Sequence, residues 1–438
     1  MQVTLARSPV LLFTYRQACT EVRARGLYVN RVYVVGVGMT KFEKPGARVG
    51  WDFPAMARES GTMAIADAGI DHDEIDQAYV GHVFGEPSYG QRAVSELGIT
   101  DIPVIRVNTS CATGSTALYL AAEAIRSGRV GCVLALGFEQ TLPDAIGFGL
   151  DERPHLVTRE PATMGQAAEM GPPPAPWMFG AAGREHMRRH GSTPEHFAKI
   201  GEKNHRHSVH NPYARSRREY TLEEVLAAPM VDDPLTAPQC APVSDGSAAA
   251  IVAGEAFVDL HGLARRAVEI VGQAMTTDLA STLDGTAKNV IGYAMSVRAA
   301  RRVYAQCGLG PGDFQVIELH DCFSTHELLL YEALGLCGEG EAGSLVDSGD
   351  TTYGGRWVVN PSGGLIAKGH SLGATGLAQC VELTWQLRGT AGVRQVRPAS
   401  AALQHNIGLG GAAVVTAYRA ATRPGASMDR GAARPEPR

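Results

Sequence analysis

The segment Val107-Asn108-Thr109-Ser110-Cys111-Ala112-Thr113-Gly114 reads as the end of a strand turning into a helix. It puts Cys111 at or just before the first helical turn. Unpaired backbone N–H groups and the helix dipole there stabilise a thiolate and lower the pKa of its thiol. A nucleophilic cysteine belongs in such a place. The same pattern also fits a buried cysteine that packs as a small apolar side chain.

Three further segments carry reactive groups. Glu318-Leu319-His320-Asp321-Cys322-Phe323 follows the apolar pair Val316-Ile317. If the backbone stays extended, His320 and Cys322 point to one side and Asp321 to the other. An imidazole and a thiol then meet where a loop leaves the sheet, a usual place for α/β sites. A core cysteine beside a solvated histidine is the alternative. In Gly363–Gly376, His370 stands between glycine-rich stretches at a helix start. There it can take a proton from a thiol or donate to a developing oxyanion, or it is a loop or capping histidine. Gln404–Gly411 is rich in glycine and precedes a strand, whereas a phosphate loop needs a helix after it. Its glycines instead let the backbone approach a reacting carbonyl and offer N–H donors.

The elements that must position these groups alternate. Strand-like runs lie at Arg31–Phe42, Gln77–Phe84, Ile102–Asn108 and Cys132–Glu139, with a helical pattern at Ala112–Ser127. This is an α/β pattern. From about Gly149 to Pro234 the character changes, and Pro172–Pro174 with Pro176 break any regular element. Arg184–Tyr220 holds nine Lys/Arg against four Glu and six of the fourteen histidines. It reads as an inserted, mostly helical lobe. His205, His207 and His210 match no metal-ligand spacing. The basic surplus suits a phosphorylated ligand or a solvated helical face. A second α/β half follows, with helices near Ala299–Gly308 and Ser324–Gly335 and strands at Gln315–Leu319, Ala399–His405 and Ala412–Tyr418. The expected plan is an extension over 1–30, a first half over 31–280 with the lobe at 149–234, a second half over 281–420, and a disordered tail over 421–438.

One echo supports two halves. Ala112-Thr113-Gly114 opens a small-residue helix ending at Gly128, and Ala374-Thr375-Gly376 opens another ending at Gly389, offsets of 262 and 261 residues. Duplication explains this, or chance likeness of two alanine-rich helices. The 438 residues carry 40 basic and 45 acidic side chains, net −5, which disfavours a nucleic-acid binder. No apolar run approaches the roughly 18–20 residues of a membrane span. Eight cysteines without tight spacing argue for a reducing, cytoplasmic setting.

Together these pieces resemble the thiolase superfamily, and within it the sterol-carrier branch. The likeness runs from about Arg31 to Tyr418 and includes VVGVGMTKF, NTSCATGSTAL, ELHDCFSTHELL, NPSGGLIAKGHSLGATGLAQC and LQHNIGLGGAAVV. It implies a thiolase fold, five-layered α/β/α/β/α from two duplicated halves, with an inserted helical loop domain that receives coenzyme A. It implies cleavage of 3-oxoacyl-CoA by coenzyme A as co-substrate, with no permanently bound cofactor and no metal. By resemblance Cys111 takes the acyl group, His370 activates it, and Cys322 supplies a second thiol. His320 faces the thioester oxygen, the backbone of Gly408 joins an oxyanion pocket, and Met178 and Phe179 line the acyl pocket. Most thiolases keep a second cysteine where Asn406 stands here. Ser371 replaces a usual proline, which predicts a looser His370 loop. A homodimer is implied, any small accessory partner stays unidentified, and lipid transfer is not expected from this chain alone. A condensing enzyme, an aldolase on a CoA ester, and a non-catalytic acyl-CoA binder are the competing readings.

Overall fold

The apolar runs become ten strands of one mixed sheet. The computed structural model describes residues 30–141 and 175–421. The expected N-terminal extension, the Pro-rich part of the lobe and the tail lie outside these residues. The first five strands are β1 (Val32–Met39), β2 (Gln77–Gly81), β3 (Val104–Val107), β4 (Cys132–Glu139) and β5 (Gly246–Gly254). The second five are β6 (Val268–Thr276), β7 (Val316–Glu318), β8 (Val358–Val359), β9 (Ala401–Gly408) and β10 (Ala412–Ala420). Their order across the sheet is β8-β7-β9-β10-β6-β1-β5-β4-β2-β3.

Counted outward from the centre, both sets have the same order. β2 runs parallel to β3 and β4, as β7 does to β8 and β9. β5 is antiparallel to β4 and β1, as β10 is to β9 and β6. The duplication suggested by two helices therefore extends to every strand. Strand order divides the halves between Gly254 and Val268, ahead of the boundary expected at 280. The sets join along β1 and β6 by two registered pairs, Tyr33 with Glu269 and Val34 with Val268.

Helices cover both faces. Among them are α1 (Phe53–Ala68), α2 (Tyr89–Ser95), α3 (Thr113–Arg126), α4 (Ala175–His190), α5 (Pro194–Ser208), α6 (Tyr293–Cys307), α7 (Ser324–Ala333), α8 (Gly364–Lys368) and α9 (Thr375–Arg388). Successive strand residues face opposite layers. Val35 and Ile251 pack outward with Ala57 and Ala64 of α1. Val34 and Ala250 pack inward with Ala117 and Ala121 of α3 and Leu377 and Val381 of α9. On the far side Leu403 and Val415 pack with Val303 of α6 and Leu328 of α7. The result is α/β/α/β/α, with α3 and α9 in the middle. Strands buried on both faces explain the near-continuous apolar runs.

The starts of α3 and α9 meet backbone to backbone. A Cβ on Gly114 would lie 2.8 Å from the Gly373 carbonyl oxygen, and one on Gly376 would lie 2.4 Å from the Ser115 nitrogen. Gln404 ties the pair by donating to Ser115 Oγ at 2.9 Å and to the Gly376 carbonyl at 2.6 Å.

The lobe between β4 and β5 carries α4, α5 and a short hairpin, Met230–Asp232 with Leu235–Thr236. Its charge differs from the expected open positive surface. Six of the nine Lys/Arg side chains of Arg184–Tyr220, namely Arg184, Arg189, Lys199, Lys203, Arg206 and Arg218, pair with carboxylates. His205 and His207 are buried and hydrogen-bonded to the carbonyls of Pro238 and Asn360. Among the described residues no helix is long and apolar enough to cross a membrane.

Replacing Gly114 by alanine forces two backbones apart. We expect a loss of about 1–3 kcal/mol in urea unfolding. Gly131→Ala is the control, because its Cβ would meet nothing closer than 3.6 Å. Equal midpoints for the two variants would contradict the close-packed helix starts.

Candidate active site

Cys111 sits in a tight elbow between β3 and α3. Ser110 adopts a left-handed φ of 53°, and its N–H donates to Asn108 Oδ1 at 3.1 Å. Thr113 Oγ1 accepts from the Thr109 N–H at 2.8 Å and donates to the Ser110 carbonyl at 2.6 Å. A left-handed non-glycine residue costs of order 1–3 kcal/mol, and these bonds hold it there. The end of β9 presses on the elbow. A Cβ on Gly408 would lie 1.9 Å from the Thr109 carbonyl oxygen, so only glycine fits.

His370 follows α8 through Gly369, whose φ is 108°. Its backbone pairs with Pro242 and Ser244 at 3.0 and 2.9 Å. Its Nδ1 lies 2.8 Å from Thr375 Oγ1. That hydroxyl donates its one proton to the Ser371 carbonyl at 2.9 Å, so it accepts from Nδ1–H. The lone pair is therefore on Nε2, which is buried and has no partner among the described residues. Ser371 does not loosen this loop. It is buried, and its Oγ donates to the Gly246 carbonyl at 3.0 Å.

His320 carries the opposite tautomer. Its Nδ1 accepts from Asn406 Nδ2 at 2.9 Å, which leaves Nε2–H as a donor. Cys111 Sγ and one nitrogen of each ring all lie within 4.8 Å of one another. The two rings meet edge to face, centroids 5.2 Å apart.

Cys322 is buried beside this trio rather than within it. Its Sγ lies 3.9 Å from Nδ1 of His326, and that nitrogen bonds the His320 carbonyl at 2.6 Å. The extended path expected for this loop is absent. The Asp321 N–H donates to the Leu319 carbonyl at 3.1 Å, which turns the chain at His320. Asp321 is buried, not solvated. It accepts from the N–H groups of Leu365 and Ile366 at 2.7 and 3.2 Å and from Asn204 at 2.8 Å. It thereby fastens the Cys322 loop to α8, which carries His370. Met178 and Phe179 join Cys322, Phe323 and Leu365 in one apolar cluster. The Phe179 ring stacks on Phe323 at 4.7 Å.

Sequence reasoning missed several members. Cys322 and His326 stand four apart at a helix start, a spacing that brings side chains together and was available as a signal. Asn406 figured only as a replaced cysteine, although it sets the His320 tautomer. Glu139, at the end of β4, accepts from Val83, Phe84 and Gly373 at 2.9–3.0 Å. Nothing local marked it.

Burial dominates the electrostatics. It draws His370 down to about 3 and His326 to about 4, and holds His320 and His405 well below the usual range. All four imidazoles are neutral at pH 7. Burial and then the Glu139 charge push the Cys111 thiol up to about 12. Here the expectation of a lowered thiol fails, because desolvation outweighs the helix N-terminus. Burial, then the neighbouring Cys111 charge, raises Cys322 further. Glu139 itself rises to about 8 through burial. The resting site is thus a thiol, a neutral base and a neutral N–H donor.

Alkylation of Cys111 by iodoacetamide follows its thiolate fraction. With the thiol near 12, the rate should rise about tenfold per pH unit from pH 7 to 9. A plateau below pH 8 would contradict a protonated resting thiol. Because His370 stays neutral above about 3, turnover should show no acid limb near pH 6.5. A limb there that vanishes in His370→Gln would contradict the depressed imidazole.

Comparison with known proteins follows the same division. The family described as thiolase, N-terminal domain, matches residues 32–219, and thiolase C-terminal domain-like matches 276–418. Sterol carrier protein 2 of Rattus norvegicus is 56% identical over 392 residues, covering 89% of this chain and 72% of its own. Non-specific lipid-transfer protein-like 2 of Caenorhabditis elegans is 46% identical over 406 residues, covering 91% and 98%. Among solved structures, an Ltp2-ChsH2(DUF35) aldolase superposes with a TM-score of 0.74 at 23% identity, over 90% of this chain and 98% of that one. The chain belongs to the thiolase family of acyltransferases.

Proposed function

We propose that this protein cleaves 3-oxoacyl-CoA with coenzyme A as co-substrate, giving a shortened acyl-CoA plus acetyl-CoA or propanoyl-CoA. The observation that carries this reading is the approach of Cys111 Sγ to both imidazoles, within 4.8 Å. Their tautomers suit two different tasks. His370 Nε2 takes the Cys111 proton, and the thiolate attacks the 3-keto carbon. The Cα–Cβ bond breaks, the acyl group stays on Cys111, and the electron pair passes to a CoA enolate. The enolate oxygen faces the Nε2–H of His320 and the newly formed N–H of His370. Cys322 protonates the enolate carbon, and the first product leaves. Coenzyme A then gives its thiol proton to the Cys322 thiolate and attacks the acyl group. His370 returns its proton to Cys111. The backbone N–H groups of Cys111 and Gly408 hold the oxyanion of each acyl-transfer step.

Burial makes this economical in charge. Neutral groups approach the uncharged 3-oxo thioester end of the substrate, and charge develops only where fixed donors await it. Losing one such donor typically costs about 10²–10³ in rate. Met178, Phe179 and Phe323 supply an apolar wall for a fatty-acid or sterol side chain. The structural neighbour called an aldolase is only 23% identical, a likeness of fold alone. The retained Cys111 favours thiolysis over aldolase chemistry. A homodimer and a cytoplasmic location complete the reading. The seven free cysteines among the described residues support a reducing compartment.

Loss of the 3-oxo chromophore on mixing 3-oxoacyl-CoA with coenzyme A tests the proposal. Cys111→Ala should abolish turnover, and Cys322→Ala should lower it at least about 10²-fold. Unchanged turnover in Cys322→Ala would remove that thiol from the reaction. Cleavage persisting in Cys111→Ala would favour aldolase chemistry. Sedimentation should give twice the 46.4 kDa chain mass, and a single-chain mass would overturn the dimer.

A further inference from the structure

We propose that Cys111, His320 and His370 form a binding site for a soft divalent cation, zinc above all, and that the bound ion inhibits acyl transfer. One thiolate and two imidazoles are a donor set that tetrahedral zinc favours over magnesium or calcium. The three donor atoms come from separate elements yet lie within 4.8 Å of one another, each on a buried residue. In four-coordinate zinc, adjacent nitrogen and sulfur ligands stand roughly 3.3–3.6 Å apart. Binding therefore requires the three side chains to close that gap.

Two observations point to a ligand rather than to packing. His370 Nε2 is buried, unpartnered among the described residues, and carries a lone pair. Its ring is already oriented by Thr375, the kind of outer contact that metal-ligating histidines use. Asn406 Oδ1 is also buried and unpartnered, next to His320. If the Asn406 amide turns over, Oδ1 accepts from Nδ1–H of His320. The His320 proton then sits on Nδ1, and Nε2 becomes a ligand. One amide thus selects between a donor imidazole for catalysis and a ligating imidazole for the cation.

The charge balance is simple. The Cys111 thiol gives its proton to solvent as the sulfur–metal bond forms, and no electron is transferred. The ion offsets the cost of a buried thiolate that otherwise keeps Cys111 protonated. Water or substrate oxygen can fill the fourth position. The ion is an inhibitor and not a cofactor, because it occupies the sulfur and the lone pair that acyl transfer needs. An acyl group on Cys111 removes one ligand and should exclude the metal.

Binding does not depend on the proposed reaction, whereas inhibition does, and the test separates them. Cobalt(II) is added to chelator-treated enzyme and read by its thiolate-to-metal charge-transfer absorption. We expect a band saturating at about one equivalent, displaced by zinc, absent in Cys111→Ser, and needing about 10–100-fold more cobalt in His320→Gln and in His370→Gln. Thiolysis should fall in step with zinc occupancy and return with EDTA. No band on enzyme that performs thiolysis, or a band unchanged in Cys111→Ser, would overturn the metal site. A band on enzyme without thiolysis would support the metal site and overturn the proposed function instead.

Discussion

The site rests on one contact, the backbone meeting of α3 and α9 at their N-termini. Cys111 lies just before α3, and His370 lies just before α9. Gly114, Gly373 and Gly376 let the two starts approach more closely than any side chain would allow. The duplication puts like against like, so the first half presents a thiol, the proposed nucleophile, where the second presents an imidazole, the proposed base. The second half then contributes three loops at the ends of adjacent strands: His320 and Cys322 after β7, His370 beyond β8, and Gly408 at the end of β9. The first half contributes the elbow and Glu139. Equal topology therefore supports unequal chemistry.

Around that contact the protein buries its reactive groups and keeps them neutral. A buried charge is costly unless paired, and here the charged residues stand behind the reacting ones. Lys203 pairs with Glu327, and Asn204 bridges Glu327 and Asp321 at 2.6 and 2.8 Å. Asp321 in turn caps α8. The inserted lobe, through α5, is thus anchored beneath the Cys322 loop and α8, which leads to His370. Of the lobe's six carboxylate-paired cations only Lys203 does this internal work, and the other five pair at or near the surface. Buried ion pairs of this kind are weak sources of stability, but removing one partner leaves a stranded charge.

Much of this arrangement was legible. Strands such as Cys132–Glu139 announce themselves because both faces are buried, and their residues run apolar without interruption. The paired Ala-Thr-Gly helix starts revealed the duplication through small residues at matched spacing. The motifs around Cys111, His320 and His370 revealed the loops. What stayed hidden depends on distant neighbours. The acidity of Cys111 is decided by burial under β9, far along the chain. The tautomer of His320 is decided by Asn406, which looked like a missing cysteine. The lobe looked basic because several of its acidic partners, Glu224, Asp232, Glu327 and Asp347, lie outside the basic segment. The Ser371 loop looked loose because its anchor is the Gly246 carbonyl on another strand.

In the proposed reaction Cys111, activated by a neutral His370, carries the acyl group between two molecules of coenzyme A. Tandem mass spectrometry of enzyme quenched after mixing with an acyl-CoA alone tests this most directly. A thioester-linked acyl group is expected on the peptide containing Cys111, formed far more slowly in His370→Gln. An acyl group found on Cys322 instead, or steady turnover with no acylated cysteine, would contradict it.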